Sequence, residues 1–387
     1  MNINKLLEFL KEKKNRKFFK ELQKLKEITI NETQKLVLSN PEKPIKEMLS
    51  QIILQRRNSS KIPISNELLF TERGAQQASS WTIAKYHAKK FKDYNKIADL
   101  CCGTGIDLIN IAKAKEQVYA VDLDADILKL AEYNCTNQGL NNINYEQAKA
   151  EDFNKKVDAI FIDPDRRSGN FRKIAPEEYS PPFSKILELR ELSRNIAVKL
   201  SPAIDYKNLE LPKDSTLEFV SENGTLKEIL LCMGKLSTKN CKRKAVLLTP
   251  NLMLQNSDVK IDVSEIQRYM FEPDPAIIRA GLVQELGSEL DYMLIDSKLA
   301  LLTGSQIIEC DFGNIYEVDK VMKYDLKQVR KYVREKEIGE LIVKTRGFPE
   351  STEQFRKKIK LNGDNSVIMF ILRIGDNHII VFVQIVK

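Results

Sequence analysis

Histidine is scarce in this 387-residue sequence, with only His87 and His378 present. The first reads as a helix-surface or core residue and the second begins a strand. A histidine general base is therefore not expected. The six cysteines (Cys101, Cys102, Cys135, Cys232, Cys241 and Cys310) form no CxxC pair. That spacing argues against a structural zinc site and against a disulfide framework, and no metal is expected. A CxxxCxxC run is also missing, which excludes radical chemistry at an iron–sulfur cluster of that type. No apolar stretch approaches the roughly 18–20 residues that a spanning helix needs, so no membrane partner is expected. The opening "MNINKLLEFLKEKKNRK" has no uninterrupted apolar core. No secretion signal is therefore expected, and a cytoplasmic protein with reduced thiols is. Internal repeats and low-complexity segments are lacking as well.

What is present describes a globular chain longer than one typical domain. Hydrophobic residues make up 42% and charged residues 30%, proportions that support packed cores under a polar surface. The net charge of +8 is uneven. Residues 1–74 hold 16 Lys/Arg against 9 Asp/Glu, and residues 311–387 hold 15 against 11. The middle is mildly acidic. Two basic ends suggest a polyanion held by the flanks, and RNA is the expected partner. Lysine-rich helix faces are also often merely solvated.

Residues 1–74 read as helical, because Leu6, Leu7, Leu10, Phe18, Leu22 and Leu25 recur at roughly helical spacing. "NPEKP" breaks the pattern, and "IKEMLSQIILQRR" reads as a further helix. From 75 to 250 apolar strand-like runs alternate with helical stretches. Strands are expected at 97–100, 117–121, 144–147, 159–162, 196–200, 229–232 and 245–248, and the last two are expected to form an antiparallel edge hairpin. This alternation predicts an α/β fold with a seven-stranded, mostly parallel sheet. Residues 251–315 read as a ferredoxin-like connecting region. Residues 316–387 read as a separate α+β module, with helices at 325–336 and 350–360 and strands at 340–344, 367–374 and 378–386.

In "IADLCCGTGIDLINIAKA", Gly103 and Gly105 follow a strand and open a helix. Glycines there allow a sharp turn and close approach of backbone to a ligand. A dinucleotide fingerprint would place a third glycine at 108, where Leu108 stands. Asp99 points instead to S-adenosylmethionine, whose methionine ammonium a carboxylate can hold. Cys101 belongs to the same loop. Asp122, followed by Leu123, ends the next strand, where a carboxylate can accept from both ribose hydroxyls. Glu151 and Asp152, in "AKAEDF", follow the third strand, where the adenine amine would lie. Each piece alone is common, and acids at strand ends are often helix caps. Their order within an alternating α/β pattern makes S-adenosylmethionine the expected cofactor.

With these residues the chain resembles a class I S-adenosylmethionine-dependent methyltransferase. "QQASSWTIAKY", "IDPDRRSGNFRK", "YSPPFSKIL", "VKLSPAID", "EPDPAIIRAGL" and the "IVKTRG" tail are similar to bacterial methyltransferases with a THUMP-like C-terminal domain. The resemblance covers most of the chain, least clearly its first fifty residues. It implies a Rossmann-like methyltransferase domain, an N-terminal helical region and a THUMP-like end. It also implies methylation of RNA, tRNA or rRNA, since true THUMP domains belong to tRNA-modifying enzymes and grip RNA. Gln77 is counted with the cofactor residues.

The run "IFIDPDRRSGNFR" ends the fourth strand in Asp163-Pro164. Amino-methylating enzymes often have Asn/Asp-Pro-Pro-aromatic there. The side-chain oxygen and the following carbonyl accept from an exocyclic NH₂ and turn its lone pair toward the methyl. Transfer then needs mainly alignment. Asp163 and Pro164 are the expected catalytic pair. Asp165 replaces the second proline and Arg166 the aromatic. Arg166, Arg167 and Arg172 can stack on a base or clamp phosphates, or pair with nearby acids and fix the loop. Lys199 and Arg346 are the other substrate candidates. No cysteine follows Asp163, which speaks against C5-methylation. Two readings remain beside amino methylation of RNA: a methyltransferase for a protein or small molecule, and a non-catalytic protein that binds S-adenosylmethionine and RNA.

Overall fold

The computed structural model describes residues 3–168, 171–172, 174–257 and 259–386, with the backbone alone at 167, 168, 171 and 172. The chain forms two compact units. One holds residues 1–216 and 229–239, the other residues 217–228 and 240–387.

The first unit opens with four helices: α1 (Ile3–Leu10), α2 (Lys13–Gln23), α3 (Ile30–Ser39) and α4 (Ile45–Arg57). Ile3, Leu6 and Leu10 sit one turn or two apart, so α1 presents one apolar stripe. They pack with Phe19, Leu22, Met48 and Ile52, and also with Leu130 of α8 (Ala125–Asn137). The helical region is thus fastened to the sheet's own helix layer. Next come α5 (Glu72–Gln77) and α6 (Trp81–Lys90), capped by the hydroxyls of Thr71 and Ser80.

The sheet begins with β1 (Lys96–Leu100), α7 (Ile106–Ile111), β2 (Gln117–Asp122), α8, β3 (Ile143–Gln147) and β4 (Ala159–Ile162). A short antiparallel ribbon follows, β5 (Arg167–Ser168) with β6 (Phe171–Arg172). Then come α9 (Phe183–Glu188), β7 (Ile196–Leu200), β8 (Ser215–Glu222), β9 (Thr225–Met233), β10 (Arg243–Leu247) and β11 (Leu252–Gln255). Strand order is β11-β10-β8-β9-β7-β4-β1-β2-β3. β3, β2, β1, β4 and β7 run parallel, and β9 is antiparallel to β7. The sheet therefore has nine strands where seven are expected from the sequence. The added ones are β8 and β11.

β9 and β10 do not form the expected edge hairpin. β9 turns back on β8 through Asn223 and Gly224, both at positive φ, and β10 turns back on β11. Two successive left-handed residues match the twist of a tight hairpin, so Asn-Gly fixes the β8–β9 pairing.

The second unit continues with β12 (Tyr269–Pro273), α10 (Pro275–Ala280), α11 (Val283–Leu290), β13 (Met293–Leu294) and β14 (Leu302–Gly304). β15 (Gly313–Lys323), α12 (Leu326–Glu335), β16 (Ile338–Arg346), α13 (Thr352–Arg356), β17 (Asn365–Ile374) and β18 (Asn377–Ile385) complete it. Its sheet order is β13-β14-β12-β15-β18-β17-β16. Residues 269–304, read from the sequence as a connecting region, thus share one sheet with the tail, because β12 pairs with β15. Val329, Val333, Phe355 and Ile359 seat α12 and α13 on one core with Met369, Ile371 and Phe382.

Candidate active site

The C-terminal ends of the parallel strands open into a cavity of about 990 Å³ in the first unit. Its floor is the loop from Cys101 to Thr104. Cys101, Gly103 and Gly105 all take positive φ (64°, 54° and 86°). For Cys101 this left-handed conformation costs roughly 1–2 kcal/mol. The amides of Cys101 and Cys102 bond the Val121 carbonyl, at 2.8 and 3.1 Å. Asp122 ends β2 and is half-buried. One of its oxygens accepts from the Gly103 amide and the other from Asp124, both at 3.0 Å. Burial raises its pKa, and these amides oppose the rise. Leu123 beside it is 59% exposed and offers the cavity an apolar surface.

Asp99 is the most unusual group. It is 1% exposed and lines the cavity, yet neither carboxylate oxygen has a hydrogen-bond partner. Burial, and then the charges of Asp107, Asp163 and Asp122, push its carboxyl well above the usual carboxylate range. A buried carboxylate without a donor calls for a cationic one.

At the other end, β4 delivers Asp163 and Pro164 into the same cavity. Asp163 is half-buried, and Lys199 Nζ donates to its Oδ2 at 2.8 Å. Lys199 also donates to Ser79 Oγ at 3.1 Å. Ser79 in turn donates to Asp107 Oδ2 at 2.8 Å, and Asp107 Oδ1 lies 2.8 Å from His87 Nδ1. His87 is fully buried on α6. Burial alone would raise the Asp107 pKa; His87, Lys199 and Ser79 outweigh it and hold the carboxyl below its ordinary value. Asp165 accepts from Arg73 Nη2 at 2.6 Å, and Arg73 Nε bonds Gln77 Oε1 at 3.1 Å. The loop after β4 is thus tied to α5 across the rim.

A family model described as "Methyltransferase domain" matches residues 97–165, and one described as "THUMP domain-like" matches residues 313–384. Two Mycobacterium tuberculosis strains each hold a relative named an uncharacterized S-adenosylmethionine-dependent methyltransferase. Each is 24% identical over 314 residues, which span 80% of this chain and 86% of the relative. A crystallised methyltransferase candidate from Porphyromonas gingivalis W83 has the same fold, with a TM-score of 0.76 at 20% identity. That match covers 96% of this chain and 97% of the other.

The chain joins a methyltransferase domain to a THUMP-like domain. It is an S-adenosylmethionine-dependent methyltransferase. The methyltransferase cavity fits that cofactor. Asp99 is the carboxylate that lacks a donor, and the ammonium of the methionine part can supply one. Asp122 has further lone pairs open to a hydroxyl donor, and Leu123 presents an apolar side chain to the same cavity.

Of the other residues read from the sequence, Gln77, Cys101, Gly103, Glu151, Arg166 and Lys199 line the cavity. Gly105 lies below the floor as the N-cap of α7, and exposed Asp152 stands outside the wall. Arg166 hydrogen-bonds the buried Tyr179 hydroxyl. The side chains of Arg167 and Arg172 lie outside the described part of the molecule. Arg346 belongs to the THUMP-like domain and donates to Glu272 Oε1 at 2.7 Å. Lys344 bonds the other Glu272 oxygen and Tyr316 Oη. Two cations of edge strand β16 therefore reach β12, four strands away in the sheet order, and that sheet must curl. This contact joins the sequence motifs EPDP and KTRG.

Arg73, Ser79, Asp107 and His87 were not legible as site residues. Asp107 offered one signal, an acid in the first turn after the glycine loop. Among the described residues no group of three or more His, Cys, Asp or Glu can hold a metal, and no helix is long and apolar enough to cross a membrane.

Proposed function

We propose that this methyltransferase modifies an exocyclic amino nitrogen of a base in structured RNA, tRNA or rRNA. The observation that carries the reading is the convergence of Asp163-Pro164 with Asp99 and Asp122 on one cavity. S-adenosylmethionine, when bound, supplies an electrophilic methyl group on a sulfonium. Asp99 holds the cationic end of that cofactor and Asp122 its ribose, with Gly103 and Leu123 beside them. Asp163 and the Pro164 carbonyl each accept one N–H of the substrate amine. This fixes the nitrogen lone pair in one direction and leaves Asp163 placed to take the proton that the nitrogen sheds. Arg166 contacts the substrate at the rim.

The THUMP-like domain supports RNA as the substrate. Arg334, Arg356, Lys357 and Lys360 are exposed on and just after α12 and α13, which pack on one core. They supply exposed positive charge suited to phosphates. We place the reaction in the cytoplasm, where the six cysteines stay as thiols. The test is transfer of labelled methyl to RNA from a strain lacking the gene. That RNA carries the vacant site and accepts label, whereas RNA from the parent strain does not. Label on protein or small molecules, with RNA unlabelled, rejects the RNA reading.

A further inference from the structure

Lys199 reads from the sequence as a substrate contact, but its surroundings give it another task. It lies near the end of β7, the parallel neighbour of β4, so its side chain leaves the sheet beside Asp163. The side chain is 9% exposed. Its ammonium is turned to Asp163 Oδ2 and Ser79 Oγ. Ser79 is anchored in turn by Asp107, and Asp107 by His87. The His87 ring packs 4.9 Å from that of Phe161, which lies on β4 two residues before Asp163. The path leaves β4 at Asp163, crosses β7 and two helices, and returns to β4.

We propose that Lys199 is a positioning residue for methyl transfer, the first member of a buried strut that continues through Ser79, Asp107 and His87. It holds one oxygen of Asp163 so that the other faces the substrate amine. This rests on the reading of Asp163 as the group that receives the amine. Two physical arguments support it. Asp163 shares its cavity with Asp99, Asp107 and Asp122 and adds to the charge around Asp99, so a cation beside it offsets a cluster of acids. A nearly buried lysine is also costly unless its charge is paired, so the Lys199–Asp163 contact is tightly specified. Ser79 then fixes where the ammonium sits, because it accepts from Lys199 while donating to Asp107. A lysine that bound RNA phosphates would need its ammonium at the surface.

The test uses the full-length protein with S-adenosylmethionine and the RNA that accepts methyl. Lys199→Met should lower kcat about 30- to 100-fold, with KM for RNA and Kd for S-adenosylmethionine each within about threefold of wild type. Lys199→Arg should recover kcat to within about tenfold of wild type. The Asp163→Ala/Lys199→Met double variant should be no slower than Asp163→Ala alone, because both act on one group. A purely structural lysine would lower cofactor affinity and melting temperature together, and a phosphate contact would raise KM for RNA instead. Either result overturns the proposal, as does an unchanged kcat. If Lys199→Met fails to fold, Ser79→Ala decides the matter. It keeps the ammonium and loosens its anchor, and should lower kcat about 3- to 10-fold at constant cofactor affinity; no change in kcat rejects the strut. Normal turnover in Asp163→Ala rejects the reading of Asp163 itself. A slow Asp163→Ala beside a normal Lys199→Met rejects only the role of Lys199.

Discussion

Asp99→Asn probes the cofactor end of the cavity. In the protein alone the Asp99 carboxylate is buried without a donor, and its pKa stands well above the ordinary range. A raised carboxyl binds a proton in the folded state that the unfolded chain has released. Stability of the free protein therefore falls as pH rises through the raised pKa. A cation placed on Asp99 favours the charged form. Below the raised pKa, S-adenosylmethionine must displace that proton, so affinity should climb with pH and binding should release up to one proton. The amide introduced by Asp99→Asn keeps the shape and loses the charge. A hydrogen bond between charged partners contributes about 1.5–3 kcal/mol, so the variant should bind about 10- to 150-fold more weakly. It should lose the proton release, and without cofactor it should melt no lower than wild type. Calorimetry in two buffers of different ionisation enthalpy reads affinity and proton count together. Equal affinity and equal proton release in the two proteins would refute the pairing of Asp99 with the cofactor.

Three further outcomes are expected. Asp122→Ala should weaken S-adenosylmethionine by about 1–3 kcal/mol, since ribose contacts and the anchor on Gly103 go together; unchanged calorimetric affinity in a folded variant would remove Asp122 from the site. Asp163→Ala should keep cofactor affinity within about tenfold while slowing transfer roughly 100-fold or more, and single-turnover labelling checks the split. Neutralising Arg334, Arg356, Lys357 and Lys360 should weaken RNA binding and reduce its salt slope by up to about 0.7 per lost phosphate contact, with cofactor affinity constant. Filter binding at several salt concentrations would show an unmoved slope if these residues are only solvated.

The elements that could be read from sequence are those whose signals are local. β1, β2, β4 and β7 are apolar runs between helical patterns, β3 is a short alternating run, and α4 runs from a proline-rich break to two arginines. Asp99, Asp122 and Asp163 stand at or just after strand ends, and that local position is what marks them as site candidates in the sequence. β8 was hidden because Glu218 and Glu222 interrupt its apolar run, although Asn223-Gly224 was its turn signal. The strut could not be seen, because Ser79 is 28 residues from Asp107, and Lys199 is 36 from Asp163 and 120 from Ser79. Arg346 is bonded to a carboxylate 74 residues upstream, and no local pattern announces such a pairing.

The central claim is transfer of a methyl group to an amino nitrogen of an RNA base. Nucleoside mass spectrometry tests it most directly, on RNA from a strain lacking the gene after incubation with purified protein and methyl-labelled S-adenosylmethionine. The expected result is one labelled N-methylated nucleoside, missing from the deletion strain, present in the parent and not formed by Asp163→Ala. Label on a ring carbon or a ribose oxygen, or no label on RNA while another molecule takes it, would contradict the claim.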